Sequence, residues 1–457
     1  MEGRVAPRSV FYDNALPLAI ESKSQRRMFF PEGGSKYGPT NGVNPNICRI
    51  PINADSMLDT SHSYLSFTLK NASETAAPVA AVAVGVGKGV PMISRIRVES
   101  GGVVIEDIQH YNQLYAGILQ PAQASAGDCA AFSLQNNSRS SAAGGQFQLN
   151  HTKTFLSSTG SVRYNVPIHT GVFNLNKYLP LVMLGAGLTL VLEFEDANNV
   201  LVGNAATDVL SYTISDIRYV AHLVDLQRDF YDRLRMVMEG SGGTLQLAAQ
   251  TFRHFSASVN SGASGRQELS VPNRVKSVKS IFFKQTDTGM RSGLAESRGF
   301  PASCGITNGI TSYQFRIGSV LYPSQAVAVS DLASGNNKAE SLYELRKAFG
   351  NLNFIDGTGS LLNGQTYAKC DVVGSVGMPI LNDLTSNKHF QFAPMGLDFE
   401  AFPRTALESG VNTADFSLPT NLILEGGTFT NDTTIDVYVL ADALFYVNLD
   451  GSVSVSV

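Results

Sequence analysis

The clearest structural signal in the chain is the stretch Ile96-Arg-Val-Glu-Ser-Gly-Gly-Val-Val-Ile-Glu-Asp-Ile-Gln-His-Tyr-Asn-Gln-Leu-Tyr115. Ile96 and Val98 alternate with charged residues, which is typical of a strand with one buried face. The Gly-Gly pair that follows predicts a turn, and a short strand comes after it. From Asp107 to Leu119 apolar residues recur at helical spacing, so this segment is predicted to be a helix.

A similar pattern recurs in the second half of the chain. Phe315-Arg-Ile317 lies 219 residues after the Ile-Arg-Val of the first strand. It is followed by a glycine, by Val320-Leu-Tyr-Pro323 and by a predicted helix over Ala339–Phe349. A second pair of related strings begins at Asp216 and at Asp436, which are 220 residues apart. Two pairs at nearly one offset predict two similar β domains in tandem.

Most of the remaining chain reads as short strands separated by turns. Alternating apolar residues predict strands over residues 48–52, 63–69, 92–99, 188–195 and 212–226. In the last of these the apolar phase switches near Ser215-Asp216, which predicts a bulge or bend. A helix is predicted from Asp225 to Glu239, ended by Gly240-Ser-Gly-Gly243. The sequence therefore favours an all-β chain of two tandem eight-stranded antiparallel jelly rolls with a few short helices.

These elements suggest the domain boundaries. The prediction is an N-terminal arm over residues 1–44, a first jelly roll over 45–224, a linker helix and turn over 225–243, and a second jelly roll over 244–457. The arm is expected to be extended and to lie across the body or a neighbour, and a partly disordered N-terminus is the alternative. Segments rich in small and polar residues predict long loops over 120–159, 285–311 and 351–366. Loops of this length in a compact domain usually serve function or interaction.

The composition agrees with this fold class. The 457 residues are 43% hydrophobic and only 16% charged, and they include 25 Phe and 16 Tyr but no Trp. The formal net charge of −4 excludes a generally basic coat for nucleic acid. A low charged fraction is also expected of a chain whose surface lies largely against other copies of itself.

The cysteines and apolar segments indicate neither an oxidising compartment, nor secretion, nor a membrane span. The four cysteines, at positions 48, 129, 304 and 370, lack CxxC spacing, so a reducing compartment is expected. The N-terminal residues show no signal peptide. The longest apolar stretch, Ala76–Val90, is broken by Gly, Pro and Lys and is too short to span a bilayer. The chain is expected to be soluble and intracellular where it is made.

The stretch quoted at the outset resembles a motif of double jelly-roll major capsid proteins: a strand, a Gly-Gly turn, an Ile-containing strand and a Tyr-bearing helix. Leu321-Tyr-Pro323 is similar to its counterpart in the second jelly roll of that family, and Phe230-Tyr231 to the helix that links the two. The family includes the coats of adenoviruses, tectiviruses, large eukaryotic DNA viruses, virophages and polinton-like viruses. The resemblance spans residues 45–450, and the length is most like that of virophage or polinton-like coats.

The resemblance implies a structural protein that is not an enzyme and has no catalytic, cofactor or metal site and no small-molecule substrate. Three chains would form a pseudo-hexameric homotrimer, and such trimers would tile an icosahedral shell around a DNA genome. Penton and minor capsid proteins are further expected partners. The N-terminal arm would contact neighbours, an inner membrane or the genome. The protein would be found in the virion, after assembly inside the host cell.

Competing chemistry has weaker support in the residues. Gly85-Val-Gly-Lys-Gly89 departs from the phosphate-binding pattern GxxxxGK[ST], because glycine follows the lysine and Val82 fills the first glycine position. Gly240-Ser-Gly lacks the GxSxG pattern of a nucleophilic serine. Nothing in the sequence brings Cys129 and His151 together, so Cys129 is interpreted as a structural thiol.

Several charged residues and sequons are interpreted as ordinary surface features. A glycoside-hydrolase acid pair is not predicted from Glu106, Asp107 and Asp128. The charges at 228, 229, 232, 233 and 235 predict a solvated or intersubunit helix face, and Arg26-Arg27 an inner-surface contact. The sequons at Asn71, Asn136, Asn150 and Asn431 are interpreted as coincidence.

Two other functions stay open at the level of sequence. A carbohydrate-binding or adhesive β-sandwich is disfavoured by the lack of Trp, although Tyr can supply a stacking platform. A hydrolase built on two jelly rolls, such as an amidase acting on glycoproteins, would need an acid pair that the sequence does not reveal.

Overall fold

The computed structural model describes residues 22–40, 42–73, 82–84, 90–123, 154–156, 160–175, 177–202, 209–240, 242–287, 305–306, 310–329, 340–349, 393–401, 410–415, 419–429 and 432–457. In the first half the strands are β1 (Ser22–Phe29), β2 (Lys36–Tyr37), β3 (Ile47–Ile52), β4 (Met57–Asn71), β5 (Val82–Val84), β6 (Ile93–Ser100), β7 (Val103–Gln109), β8 (Thr154–Leu156), β9 (Ser161–Val166), β10 (Leu179–Pro180), β11 (Leu188–Phe194), β12 (Leu201–Val202) and β13 (Tyr212–Leu226). In the second half they are β14 (Thr244–Val259), β15 (Gln267–Val271), β16 (Val278–Asp287), β17 (Ile310–Ile317), β18 (Val320–Ala328), β19 (Met395–Asp398), β20 (Thr420–Gly426), β21 (Thr433–Asn448) and β22 (Val453–Ser456).

Helices are short and few in the described ranges. The α-helices are α1 (Tyr111–Leu114), α2 (Gln120–Gln123), α3 (Ala197–Val200), α4 (Arg228–Gly240) and α5 (Glu340–Ala348). A π-helical turn over Tyr115–Leu119 joins α1 to α2. Short 3₁₀ turns occupy Val90–Met92, Val172–Asn174 and Leu181–Met183.

Each half of the chain forms a sandwich of two antiparallel sheets. In the second half the sheets have the orders β14-β21-β16-β19 and β15-β20-β17-β18. In the first half they have the orders β1-β13-β4-β10 and β3-β11-β6-β7, with β2 extending β1 and β9 beside β10 on β4. Numbered within each half, both sandwiches have sheets of strands 1-8-3-6 and 2-7-4-5. This is jelly-roll connectivity, so the predicted pair of eight-stranded antiparallel jelly rolls is confirmed.

The quoted stretch forms the hairpin of β6 and β7. Ser100 pairs with Val103, and the two-residue turn between them consists of Gly101 and Gly102, with φ of 57° and 82°. A two-residue hairpin turn of this kind needs positive φ at both central positions, which glycine adopts without strain. The Gly-Gly pair therefore sets the register of the hairpin.

The predicted helix over Asp107–Leu119 is wrong at its start. Asp107 and Ile108 belong to β7 and pair with Arg97 and Ile96, so helical structure begins only at Tyr111. Apolar residues at 105 and 108 fit a strand next to a bulge as well as they fit a helix, and periodicity alone does not separate the two. The change of direction falls at His110, which has a φ of 48°.

Two further elements differ from the prediction at their N-terminal ends. Ser22–Phe29, expected to lie in an arm, forms β1 and pairs with β13 along its whole length. Asp225 and Leu226 belong to that pairing, so the linker helix begins at Arg228 and not at Asp225. The hydrogen bonds of a long central strand prevail here over local helical periodicity, while the predicted helix over 339–349 is confirmed as α5.

The predicted strand over 212–226 is confirmed, including its irregularity. The pairing of β13 with β4 shifts register between Ser215 and Arg218, and Asp216 has a φ of 52°. The bulge lets the apolar phase of the strand switch while the strand stays central in its sheet. Beyond the sandwich, β5, β8 and β12 come from three different connections and pair as a small separate sheet.

Two clusters of buried apolar side chains hold the fold together. The larger fills the first sandwich and continues onto the second half, where it includes Phe282, Tyr438 and Phe445. The smaller lies between the two sheets of the second sandwich and includes Phe283 and Phe315. The sheet of β14, β21, β16 and β19 is therefore covered on both faces.

The hairpin turn offers a test of its backbone requirement. Gly102 has a φ of 82°, and nothing lies within 4 Å of the position that a Cβ would take. We expect Gly102→Ala to lower the free energy of unfolding by about 1–2 kcal/mol through backbone strain alone. Gly102→Asn should cost less, because asparagine tolerates positive φ. Urea unfolding measures both, and equal costs would contradict this account.

Candidate functional site

The two sandwiches of the chain contact each other through both apolar and polar side chains. The outer face of β14, β21 and β16 is buried against the first half. Phe282 and Tyr438 on this face are fully buried and belong to the same cluster as Ile105 and Val172 of the first half. The junction therefore resembles a continuation of the core rather than a contact between separate surfaces.

Glu106 of β7 makes a polar contact between the first half and the second. One of its oxygens, Oε1, accepts hydrogen bonds from the backbone N–H of Gly171 at 2.8 Å and from the Thr251 hydroxyl of β14 at 2.5 Å. The other, Oε2, accepts from the N–H of Val172 at 2.8 Å. Burial raises the pKa of the Glu106 carboxyl, and these hydrogen bonds act against the rise.

A second polar contact joins His110 of the first half to two residues of the second. His110 Nδ1 lies 2.7 Å and His254 Nε2 lies 2.8 Å from the same oxygen, Oδ1 of Asp436. Tyr438 donates a hydrogen bond to the backbone carbonyl of His110 at 2.8 Å. Burial opposes the charge of Asp436, but the two histidines outweigh it and hold the pKa of this carboxyl below its ordinary value.

The linker helix α4 has one buried position and an exposed charged surface. Met238 is buried, whereas Val237, predicted to lie on the apolar stripe, is exposed. The side of α4 that packs against the rest of the protein therefore carries Phe230, Leu234 and Met238, which are spaced four residues apart. The predicted charges at 228, 229, 232, 233 and 235 are all exposed.

The repeat allows the two halves to be compared position by position. Asp436 of β21 is fully buried, whereas its repeat counterpart Asp216 of β13 keeps 47% of its side chain exposed. In the two hairpins, Ser100 pairs with Val103 and Ile317 pairs with Val320, each across a two-residue turn. Val103 and Val320 are both exposed beside their turns, and Glu106, further along β7, is 5% exposed. The sheet face of the second sandwich that is covered at Asp436 thus has a counterpart in the first sandwich that is open at Asp216.

Solved structures with the same arrangement are viral coats. VP54 of PBCV-1, fitted into a reconstruction of the virophage Sputnik, superposes with a TM-score of 0.56 at 9% identity, covering 98% of this chain and 99% of that chain. The chain shares the double jelly-roll fold of viral major capsid proteins.

Two other solved structures agree with this likeness. The structure of the Sputnik virophage gives a TM-score of 0.56 at 10% identity, covering 99% of this chain and 92% of that chain. The Faustovirus major capsid protein gives 0.56 at 7% identity, covering 95% and 92%. No family model matches the chain, and no curated protein matches it. The resemblance read from the motifs is thus confirmed at the level of fold.

Glu106 and Asp107, two of the acid residues considered in the sequence, do not form an acid pair. Glu106 and Asp107 are neighbours on β7 and point to opposite sides of it. Glu106 faces the junction, while Asp107 accepts two hydrogen bonds from Arg95. Asp128, Cys129 and His151 lie outside the described residues, as do the string 85–89, the sequons at 136, 150 and 431 and most of the predicted loops.

The described candidates take structural positions. Asn71 is buried and accepts a hydrogen bond from the N–H of Ser73, which agrees with a coincidental sequon. Arg26 donates to the Tyr64 hydroxyl, and the guanidinium of Arg27 lies over the Phe29 ring. Burial raises the pKa of the Cys48 thiol to about 12, which suits a structural thiol. Among the described helices, none has both the length and the apolar character needed to cross a bilayer.

Sequence reasoning did not find the cluster of His110, His254 and Asp436. His110 and His254 are 326 and 182 residues from Asp436, so no local spacing connects them. The one available signal was the repeat string that begins at Asp436. The match to the string at Asp216 draws attention to Asp436, but it does not indicate that His110 of the first sandwich is a partner.

Thr251→Val tests the contact at Glu106. The raised pKa means that the folded chain keeps its proton where the unfolded chain has lost it, so stability falls as the pH rises from about 4.3 through the folded value. Loss of the Thr251 hydrogen bond raises that pKa further. We expect a loss of about 1–3 kcal/mol at pH 7 and a smaller loss at pH 4, measured by urea unfolding.

Thr213→Val, on β13 in the opposite sheet of the first half, is the matched control. Its effect should not change between pH 4 and pH 7. If Thr251→Val cost the same at both pH values, the hydrogen bond would not depend on the charge of Glu106.

Proposed function

We propose that this protein is a major capsid protein that assembles as pseudo-hexameric homotrimers and tiles an icosahedral shell around a DNA genome. The supporting observation is the junction between the two sandwiches. It joins the edge strand β7 of one unit to a sheet face of a similar unit, and Val320 on the corresponding edge strand β18 and Asp216 on the corresponding face are exposed. The likeness of the whole chain to the Faustovirus major capsid protein supports the same proposal.

The junction is a head-to-tail contact between two units of the same connectivity. Contacts of this type leave one free surface of each kind, and repeated copies close into a ring or extend as a filament. In this chain the free surfaces are the edge strand β18 with Val320 and the outer face of β1, β13 and β4 with Asp216. A closed ring of three chains has six sandwiches in a pseudo-hexagonal outline.

The free face of the first sandwich ends in an open edge strand, β1. Seven of the eight residues of β1 are exposed or partly exposed, and the strand lies at the edge of its sheet. An open edge strand is prone to further pairing unless it is covered or protected. Coverage by a neighbouring chain would protect this edge.

The remaining partners follow from the proposed coat role. Neighbouring trimers, penton proteins and minor capsid proteins would meet the sides of the trimer. Residues 1–21, before β1, would serve as the arm that contacts neighbours, an inner membrane or the genome. In this role the protein is not an enzyme and uses no small-molecule substrate, and it is located in the virion.

Val320→Glu tests the ring contact directly. Val320 lies at the tip of the β17–β18 hairpin, away from the described core, so the substitution should leave the fold intact. Burial of an unpaired carboxylate between chains is unfavourable. We expect light scattering after size-exclusion chromatography to show trimers for the unmodified protein and mainly monomers for the variant.

Val43→Glu is the matched control, because Val43 is also exposed but belongs to neither free surface. It should keep the trimer. An unmodified protein that stays monomeric at high concentration would contradict the capsid proposal, and a trimeric Val320→Glu variant would contradict the proposed contact.

A further inference from the structure

The cluster of His110, His254 and Asp436 carries more than a structural role. Among the described residues, it is the one group in which three metal-ligating side chains converge, with one ligand atom of each within 4.8 Å of the others. His110 follows β7 in the first sandwich, whereas His254 and Asp436 come from β14 and β21 in the second. Anything bound by all three residues would connect the two sandwiches.

The donor set suits a borderline transition metal. Two imidazole nitrogens and one carboxylate oxygen are common ligands of Zn²⁺, which binds nitrogen at about 2.0–2.1 Å and oxygen at about 2.0–2.2 Å. Hard cations such as Ca²⁺ take six to eight oxygen ligands, which this set does not provide. Both nitrogens already point at the same oxygen of Asp436, so the donor atoms converge on one place.

One ligand atom is still available at the centre of the cluster. Asp436 is fully buried, and its second oxygen, Oδ2, accepts no hydrogen bond in the described structure. An unsatisfied buried carboxylate oxygen is costly and points to a bound group. A metal ion bound between the histidines and the carboxylate would neutralise the negative charge of Asp436.

The cluster is held in place and can be reached from solvent. The φ of 48° at His110 and the hydrogen bond from Tyr438 to its carbonyl fix the backbone that carries the imidazole. The side chain of His110 is 37% exposed, whereas that of His254 is buried. An ion could enter beside His110, and water could complete a tetrahedral shell from that side.

We propose that His110 Nδ1, His254 Nε2 and a carboxylate oxygen of Asp436 bind one Zn²⁺ ion that clamps the two sandwiches of a single chain together. Binding requires each imidazole to present a lone pair in place of the N–H that now faces Asp436. The proton moves to the other ring nitrogen or is released to solvent, and the ligand atoms separate from hydrogen-bond distance to the wider spacing of a zinc shell.

The positive charge of Lys284 weakens the binding of a cation at this site. It pairs with Asp436 across β16 and β21, so the two side chains share a face of the sheet, and Lys284 is fully buried. A buried ammonium group on that face opposes a second cation. Lys284→Met keeps an unbranched side chain of similar length but removes the positive charge, so it should tighten zinc binding.

The proposal is tested on the full chain, stripped with a chelator and titrated with Zn²⁺. We expect one zinc per chain by elemental analysis after dialysis and a higher Tm, because a ligand that binds only the folded state stabilises it. Co²⁺ in the same site should give the visible absorption of a tetrahedral ion. Ca²⁺ should produce neither effect.

Variants assign the ligands. His110→Asn keeps a residue that tolerates positive φ while removing the imidazole, and Asp436→Asn removes the charge at nearly constant shape. Each should weaken zinc affinity at least tenfold and abolish the Co²⁺ absorption. His62→Gln, at the exposed His62–Asp59 pair, is the control and should leave both unchanged. Because His110 lies on a partly exposed turn, its variant keeps the test valid if Asp436→Asn does not fold.

Three results would overturn the proposal. These are less than one zinc per chain at saturation, equal zinc affinity in the His110→Asn and unmodified proteins, and Co²⁺ absorption that survives the substitution. In each case the three residues would form only a hydrogen-bonded contact. None of these results bears on whether the chain forms trimers, which is measured separately.

Discussion

The sheet of β14, β21, β16 and β19 carries large apolar side chains on both faces, and the architecture of the chain depends on covering both. Phe283 and Val437 face the inner core of the second sandwich, whereas Phe282 and Tyr438 face the first. Complete burial of one such side chain contributes about 1.5–3 kcal/mol, so the second face could not stay in water without a large loss of stability. The first sandwich is therefore required by the second, which explains why the two units share one chain.

Polar groups decide how the two sandwiches are oriented on that apolar contact. Apolar burial is not directional, so it does not by itself fix a register. Glu106 does so through its hydrogen bond from Thr251, while the N–H groups of Gly171 and Val172 hold the Glu106 carboxylate in place within the first half. The His110–Asp436 contact fixes a second point.

The general architecture could be predicted from the sequence, but the junction could not. The Gly101-Gly102 turn, the alternation along β11 and the repeat of the strings at Asp216 and Asp436 determine the hairpin, the strand type and the duplication, because each signal is local or periodic. The strand β1 could not be recognised within the predicted arm, because its residues are mostly polar and exposed and therefore show no apolar alternation. The His110–His254–Asp436 cluster joins residues hundreds of positions apart, and no local pattern encodes such a meeting.

The central claim is that the contact between the two sandwiches of one chain is repeated between chains. Cryo-electron microscopy of the purified protein tests this claim most directly. The account predicts three-fold particles with six similar units in a ring, in which β18 of each chain packs on the face of β1, β13 and β4 of the next. Monomers, or rings in which that face stays exposed to solvent, would contradict it.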